Sequence, residues 1–243
     1  LDVIPKVIFD AQNADLERFP SSEDIREVVF TMDGESTAGP NGFTGMFFTF
    51  AGEVVGNNLY KAVTSFFCGH EMPKSMSSTL IVLLPNVNSP QHFSQFQSIS
   101  LCNFVNKVIS KILVVHLTKV LPSIISHQQS GFIKGKQIFD NFLLAQELIS
   151  DIRRSNRGKN IVLKLDMAKA YDKVSWPFLL EVLRKFEFGE RWIDMIWRLI
   201  LNVWLSVIIN GAPQSFFKSS RGLRQGDSIS LALFVISAQV LSH

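Results

Sequence analysis

The sequence has no apolar run that approaches the roughly 18 residues of a membrane-spanning helix, and no cationic segment opens it as in a signal peptide. Cysteine is scarce: Cys68 and Cys102 lack C-x-x-C spacing, and the five histidines are scattered. These absences argue against a disulfide framework and a zinc site, and they favour a reducing compartment. We therefore expect a protein of the nucleus or cytoplasm that is not secreted and has no membrane partner. The first residue is Leu1 and not Met, which suggests a segment of a longer reading frame.

Charge is distributed unevenly along the 243 residues, whose formal net charge is +3. Residues 1–60 hold 3 basic and 10 acidic side chains, whereas residues 61–243 hold 21 basic and 11 acidic ones. A basic body of this size favours a polyanionic partner. A solvated basic surface without a partner explains the charge equally well, so charge alone does not decide between the two.

Composition and periodicity predict an ordered chain that contains both helices and strands. Hydrophobic residues make up 47% of the sequence and charged residues 19%, as in globular domains. The Ser21-x-x-Asp24 capping box predicts one helix start. Apolar spacing predicts further helices over residues 54–67, 103–120, 140–153, 177–186, 190–203 and 230–241. Short apolar runs predict strands over residues 79–85, 161–167 and 206–210. This mixture indicates an α+β or α/β fold.

A first candidate site follows the predicted strand at residues 161–166, where an apolar run ends in Asp166. The end of a buried strand is unfavourable for an isolated carboxylate, because a partner or a metal ion must offset its desolvation. Asp172 follows six residues later, after Tyr171. Two interpretations remain open: the aspartates bind metal, or they cap the turn into the next helix.

A second candidate site is the segment 221–227, Arg-Gly-Leu-Arg-Gln-Gly-Asp, which precedes a predicted helix. Its glycines would let backbone amides approach a nucleotide closely, and its arginines would bind phosphate or neighbouring carboxylates. The alternative for Arg221 and Arg224 is internal pairing with Asp166 or Asp227.

These segments together resemble the motifs of non-LTR (LINE-type) retrotransposon reverse transcriptases. Lys-Leu-Asp-Met-Ala-Lys-Ala-Tyr-Asp at 164–172 is similar to the family's first catalytic motif, and Ser-Arg-Gly-Leu-Arg-Gln-Gly-Asp at 220–227 is similar to the next one. Residues 79–85, 99–103, 129–136 and the turn 39–42 resemble further family segments. The resemblance spans residues 21–241 and is closest to plant elements.

The resemblance implies a right-hand polymerase fold, of which this chain would hold the fingers and a partial palm without the end of the palm or the thumb. It implies an acidic helical extension over residues 1–70 that leads into the fingers, and a reverse transcriptase domain over residues 71–243. It also implies two-metal nucleotidyl transfer with Mg²⁺, an RNA template, a DNA primer and deoxynucleoside triphosphates.

Residue roles follow from the matched motifs. Asp166 matches the catalytic, metal-binding aspartate, and Tyr171 matches the aromatic gate that packs under the sugar and excludes a 2′-hydroxyl. Gln225 and Gly226 match residues that line the incoming nucleotide. Arg224, which precedes them, is also predicted to bind the nucleotide.

The finger segment supplies two further cations. Lys134 and Lys136 stand where the family usually has an arginine that faces phosphate. The role of Asp172 stays open.

The sequence departs from the family pattern in two ways. The chain stops at His243 and contains no Asp-Asp pair, and a single aspartate cannot neutralise two divalent cations. Several usual residues are also replaced, at Asn41, Asn86, Gln97-Ser98, Ser228 and Leu231. Three hypotheses follow: a polymerase domain that is inactive alone, a non-catalytic RNA- or DNA-binding module, or a remnant of a retroelement without function.

Overall fold

A computed structural model describes residues 4–126, 129, 137–152, 161, 167–201 and 203–240, with the side chains of residues 138, 140, 151 and 201 excepted. Helices dominate these residues. In chain order they are α1 Asp10–Leu16, α2 Ser22–Thr31, α3 Gly45–Phe50, α4 Gly52–Phe67, α5 Lys74–Ser77, α6 Phe104–Thr118, α7 Leu121–Ile124, α8 Ile138–Ile152, α9 Ala170–Lys173, α10 Trp176–Lys185, α11 Glu190–Leu201 and α12 Ser228–Gln239. A short 3₁₀ turn, Phe93–Gln95, precedes the second strand.

One mixed sheet accompanies the helices. Its strands are β1 Thr79–Pro85, β2 Phe96–Cys102, β3 Trp204–Ile209, β4 Ala212–Pro213 and β5 Phe217–Lys218. The order is β2-β1-β3-β4, and β5 also pairs with β3. β1 is antiparallel to β2 and parallel to β3. Strands and helices are thus mixed within one fold, and the predicted α+β class is confirmed.

Most of the predicted helices and strands are present, and local hydrogen bonding explains where the first of them begins. The Ser21 hydroxyl accepts a hydrogen bond from the Asp24 backbone N–H at 3.1 Å, and the Asp24 carboxylate accepts one from the Ser21 N–H at 2.8 Å, so the predicted capping box begins α2. The strand predicted at residues 79–85 is β1. The helices predicted at residues 103–120, 177–186 and 190–203 are α6, α10 and α11, with ends that differ by one or two residues.

Strand β2 was not predicted from periodicity. Its sequence, Phe-Gln-Ser-Ile-Ser-Leu-Cys, has too few apolar residues for a buried strand, and it is formed because all seven residues pair with β1. The strand predicted at residues 161–167 and the family-like segment at residues 129–136 lie largely outside the described residues.

The core is built around α6, whose side chains Val108, Ile109 and Leu113 are fully buried. Helices α1, α2, α4 and α12 all contact α6. Helix α12 also contacts α10, which explains why its sequence is apolar on every side. The predicted division at residue 70 stays a prediction. Among the described helices, none is long and apolar enough to cross a membrane.

Candidate functional site

The segment that follows Asp166 and the arginine–glycine segment lie side by side in the structure. The Leu223 backbone N–H donates to the Tyr171 carbonyl and the Gly222 N–H donates to the Val174 carbonyl, both at 2.9 Å. The Trp176 indole Nε1–H donates to the Gly222 carbonyl at 2.7 Å. These three bonds join α9 and the start of α10 to residues 222–223. The two sequence motifs, about fifty residues apart, therefore form one site.

Two glycines make this close approach possible. Gly222 and Gly226 have φ values of +92° and +100°, a region that side chains other than glycine rarely adopt. A Cβ atom at Gly222 would lie 3.1 Å from the Asp172 carbonyl oxygen, and one at Gly226 would lie 3.2 Å from that of Ser100. Both positions thus require glycine for conformation and for space.

Gln225 is fixed against the edge of the sheet. Its carbonyl oxygen accepts a hydrogen bond from the backbone N–H of Ser100 in β2 at 2.9 Å. Its side-chain Oε1 accepts a second bond from Nε2 of Gln97, also in β2, at 3.1 Å. The loop therefore continues the hydrogen bonding of the sheet beyond β2, and Gln225 is held from both its backbone and its side chain.

A cleft of about 530 Å³ opens beside this loop, a size typical of small-ligand sites. Tyr171, Gln225 and Gly226, three of the residues predicted to line an incoming nucleotide, all line it. Gln97 and Ile99 of β2 line the opposite part. The structure thus brings together residues that the motifs predicted to act on the same ligand.

Tyr171 is half-buried in this cleft. Its ring stacks on Phe234 of α12, with 4.6 Å between ring centroids and 16° between planes. Burial raises the pKa of the Tyr171 phenol above its ordinary value, so the ring stays neutral at physiological pH. The stacking holds the aromatic face in one orientation.

Arg224 also lines the cleft, but its charge is directed into the core. Its Nη2 forms an ion pair with Asp227 Oδ2 at 2.5 Å, and the two side chains are only 6% and 2% exposed. Of the two alternatives left open by the sequence, internal pairing with Asp227 is the one observed. The guanidinium is therefore surrounded by core atoms and faces Asp227 instead of solvent.

Four neighbours that sequence reasoning missed complete this buried cluster. Arg224 Nη2 donates to Asn106 Oδ1 at 3.3 Å and to the Leu199 carbonyl at 3.1 Å, and Nη1 donates to Cys102 Sγ at 3.4 Å. Burial raises the pKa of the Cys102 thiol, so this partner is neutral. The Ser110 hydroxyl donates to Asp227 and accepts from the Ile229 N–H at 3.1 Å. Polar residues one helical turn apart, Asn106 and Ser110, on an otherwise apolar face were the available signal.

The remaining predicted residues are placed less fully. Arg221 is exposed and lines a neighbouring cavity. Asp172 is the third residue of α9, whose N-cap is Lys169, and the N-cap of the following helix α10 is Ser175, so Asp172 is the N-cap of neither helix. Asp166, Lys134 and Lys136 lie outside the described residues.

The metal expectation was tested on the residues that the structure describes. Within that part of the chain, no three His, Cys, Asp or Glu side chains cluster in a way that could hold an ion. The Asp227 carboxylate, which borders the cleft, already forms an ion pair with Arg224 and accepts a hydrogen bond from Ser110. The part of the chain that the structure describes therefore contains no group of acidic side chains that could hold Mg²⁺.

Comparison with known proteins identifies a family over more than half of the chain. The profile of a family described as "Reverse transcriptase (RNA-dependent DNA polymerase)" matches residues 88–243. The chain is 25% identical over 233 residues to the Transposon TX1 uncharacterized 149 kDa protein of Xenopus laevis, covering 96% of this chain and 18% of that protein.

Two more relatives extend the comparison. A Pol polyprotein from the type-1 retrotransposable element R2 of Nasonia vitripennis is 23% identical over 215 residues, or 88% of this chain and 20% of that protein. The uncharacterized mitochondrial protein AtMg01250 of Arabidopsis thaliana is 51% identical over 43 residues, or 18% of this chain and 35% of that protein. The chain spans about a fifth of the length of the two relatives that match most of it.

Proposed function

The chain belongs to the reverse transcriptase (RNA-dependent DNA polymerase) family, as a domain of the non-LTR retrotransposon type, and we propose that it forms the fingers and part of the palm of a LINE-type polymerase. Residues 1–70 form an acidic helical extension that leads into the fingers, and residues 71–243 form the polymerase segment. The ligands are an RNA template, a DNA primer and deoxynucleoside triphosphates. The compartment is the nucleus or cytoplasm.

The observation that carries this proposal is the cleft in which Tyr171, Gln225 and Gly226 meet. A nucleoside sugar seated on the Tyr171 ring would leave no room for a 2′-hydroxyl, which is discrimination by steric clash. Gly226 has no side chain and lets the backbone approach the base or the phosphates. Gln225, held by Ser100 and Gln97, presents a fixed amide to the ligand.

The family uses divalent metal ions, and Asp166 is the residue of this chain that matches the family's metal-binding aspartate. The described residues bind and orient the nucleotide, and the chain alone does not extend a primer with Mg²⁺ or Mn²⁺. Incorporation above that of an Asp166→Ala control would contradict this.

Nucleotide binding is tested by photocrosslinking a radiolabelled deoxynucleoside triphosphate to the chain in the presence of an RNA template and DNA primer. Labelling should require the template–primer, and it should fall with Gln225→Ala. With Tyr171→Ala, ribonucleotides should compete as well as deoxynucleotides. The chain has two tyrosines, so Tyr60→Ala, in α4, is a matched control and should leave the discrimination unchanged. Equal discrimination in the two tyrosine variants would refute the gate role.

A second candidate function is a nucleic-acid-binding remnant without chemistry. It is favoured by the replaced family residues at Asn41, Asn86, Gln97-Ser98, Ser228 and Leu231. The same crosslinking separates the two: a remnant would bind the template–primer without selecting the nucleotide that pairs with the template.

A further inference from the structure

Lysine and aromatic side chains from α5, β3, β5 and the residue before β5 lie together outside the residues that line the nucleotide cleft. The Lys74 Nζ lies 4.3 Å from the ring centroid of Trp204 and 5.0 Å from that of Phe216. The Lys218 Nζ lies 5.1 Å from the same Trp204 ring. Lys218 is the cross-strand partner of Trp204. We call these four residues the lysine–aromatic surface.

This surface combines positive charge with exposed rings. Lys74 and Lys218 are exposed, Trp204 is half-buried, and Phe216 keeps 37% of its area in solvent. Cation–π contacts of exposed lysines are individually weak. Both ammonium groups lie near the Trp204 ring, so a phosphate close to that ring would be attracted by two positive charges.

The surface is continuous with the candidate nucleotide site. The residues that line a cavity of about 440 Å³ include Phe217, Lys218, Gln225 and the exposed Arg221. Gln225 also lines the nucleotide cleft. One cavity thus borders both Lys218 of the lysine–aromatic surface and Gln225 of the cleft, and Arg221 adds an exposed positive charge to it.

We propose that the lysine–aromatic surface binds single-stranded nucleic acid adjacent to the nucleotide cleft. Phosphates lie between Lys74 and Lys218, and an unpaired base stacks on the Phe216 ring. The strand is single because a base in a duplex has no free face for a ring, whereas stacking on aromatic side chains is the common mode for single strands. The inference rests on the proposed function, since it names where that function's polyanionic partner is held.

The test measures the affinity of the whole chain for a fluorescent single-stranded oligonucleotide by anisotropy over a series of salt concentrations. Each phosphate contact contributes about 0.7 to the slope of log affinity against log salt on single strands. The double variant Lys74→Ala/Lys218→Ala should therefore lower the slope by about 1.4. Phe216→Leu should weaken binding about fivefold at every salt concentration with the slope unchanged, since it removes stacking and no charge.

A matched control lies in the acidic half of the chain. Arg26 lies 5.7 Å from the centroid of the Phe30 ring in α2, so Arg26→Ala and Phe30→Leu repeat the two changes at a distant cation–π pair. These variants should bind like the wild type. Circular dichroism of every variant checks the fold, and the exposure of both lysines means that their replacement should not disturb it.

The outcomes separate this inference from the proposed function. If the wild type binds and the lysine variant keeps its slope, the surface is not the contact and the proposed function stands. If the wild type binds no oligonucleotide even at low salt, both fail. Equal losses in the Arg26 and Phe30 controls, equal weakening of a blunt duplex by Phe216→Leu, or equal competition by poly-glutamate would each overturn the single-strand assignment.

Discussion

The buried pair of Arg224 and Asp227 gives the sharpest quantitative prediction. Its side chains are 6% and 2% exposed, and 2.5 Å separates Nη2 from Oδ2. Replacing Asp227 by Asn leaves the Arg224 charge buried without an anion, which costs about 3–5 kcal/mol in the free energy of unfolding. Since domains have about 5–15 kcal/mol of stability in total, the variant should unfold at a much lower urea concentration.

The double variant Arg224→Met/Asp227→Leu separates the charge effect from a general loss of packing. It removes both charges and replaces them with apolar groups, a change that is often neutral or stabilising for buried pairs. The Asp227 side chain makes no capping hydrogen bond to α12, so Leu at this position removes no cap. We expect the double variant to recover most of the stability lost by Asp227→Asn. If the double variant loses as much stability as Arg224→Met alone and Asp227→Leu alone lose together, the two residues are not a coupled buried pair.

An exposed ion pair supplies the matched control. Arg184 Nε lies 2.8 Å from Glu190 Oε1, but the two side chains are 47% and 70% exposed. Glu190→Gln should change the free energy of unfolding by no more than about 1 kcal/mol. If urea denaturation shows that Asp227→Asn costs no more than Glu190→Gln, the reasoning from burial is wrong.

Three further predictions concern the backbone, pH and self-association. Gly226→Ala should destabilise the chain by about 1–2 kcal/mol and weaken nucleotide crosslinking, because φ is +100° there. Gly56→Ala, inside α4 with open space around it, should instead stabilise by about 0.5–1 kcal/mol. Hydrogen bonding from Arg18 lowers the Asp24 pKa from 3.8 to about 2. Its stabilisation is therefore present above pH 3.8 and is lost as pH falls towards 2, by less than about 1 kcal/mol because the pair is exposed; Asp24→Asn should remove this dependence from acid titrations. Phe142 and Ile149 of α8 are 55% and 52% exposed, so Phe142→Lys/Ile149→Glu should reduce light scattering at a given protein concentration, and unchanged scattering would exclude this face.

Elements with strong local signals could be predicted from the sequence. The capping box at Ser21 and the Pro85 boundary of β1 depend on residues within a few positions, and both are observed. Strand β2 depends on pairing with β1 along its whole length, so local periodicity could not reveal it. The inward orientation of the Arg224 side chain depends on hydrogen bonds to Cys102 and Asn106, which lie 122 and 118 residues away in the sequence. Long-range contacts of this kind leave only indirect signals in the sequence.

The residues that replace the usual family residues have different structural consequences. Ser228 is the first residue of α12, a position where proline is favoured only because its missing N–H has no helical partner, so serine there leaves the helix intact. The side-chain oxygen of Asn41 accepts a bond from the Phe43 N–H at 3.2 Å, which aspartate would accept equally well.

Gln97 differs from these two, because it stands where the family usually has arginine and its Nε2 bonds directly to Gln225 at 3.1 Å. An arginine at position 97 would place a permanent charge at the cleft. Gln97→Arg should therefore strengthen triphosphate crosslinking relative to the wild type, whereas Ser228→Pro should leave it unchanged. If neither Gln97→Arg nor Ser228→Pro changes triphosphate crosslinking, the position of Gln97 at the cleft has no effect on nucleotide binding. If Ser228→Pro strengthens crosslinking and Gln97→Arg does not, the start of α12 and not the charge at the cleft limits nucleotide binding.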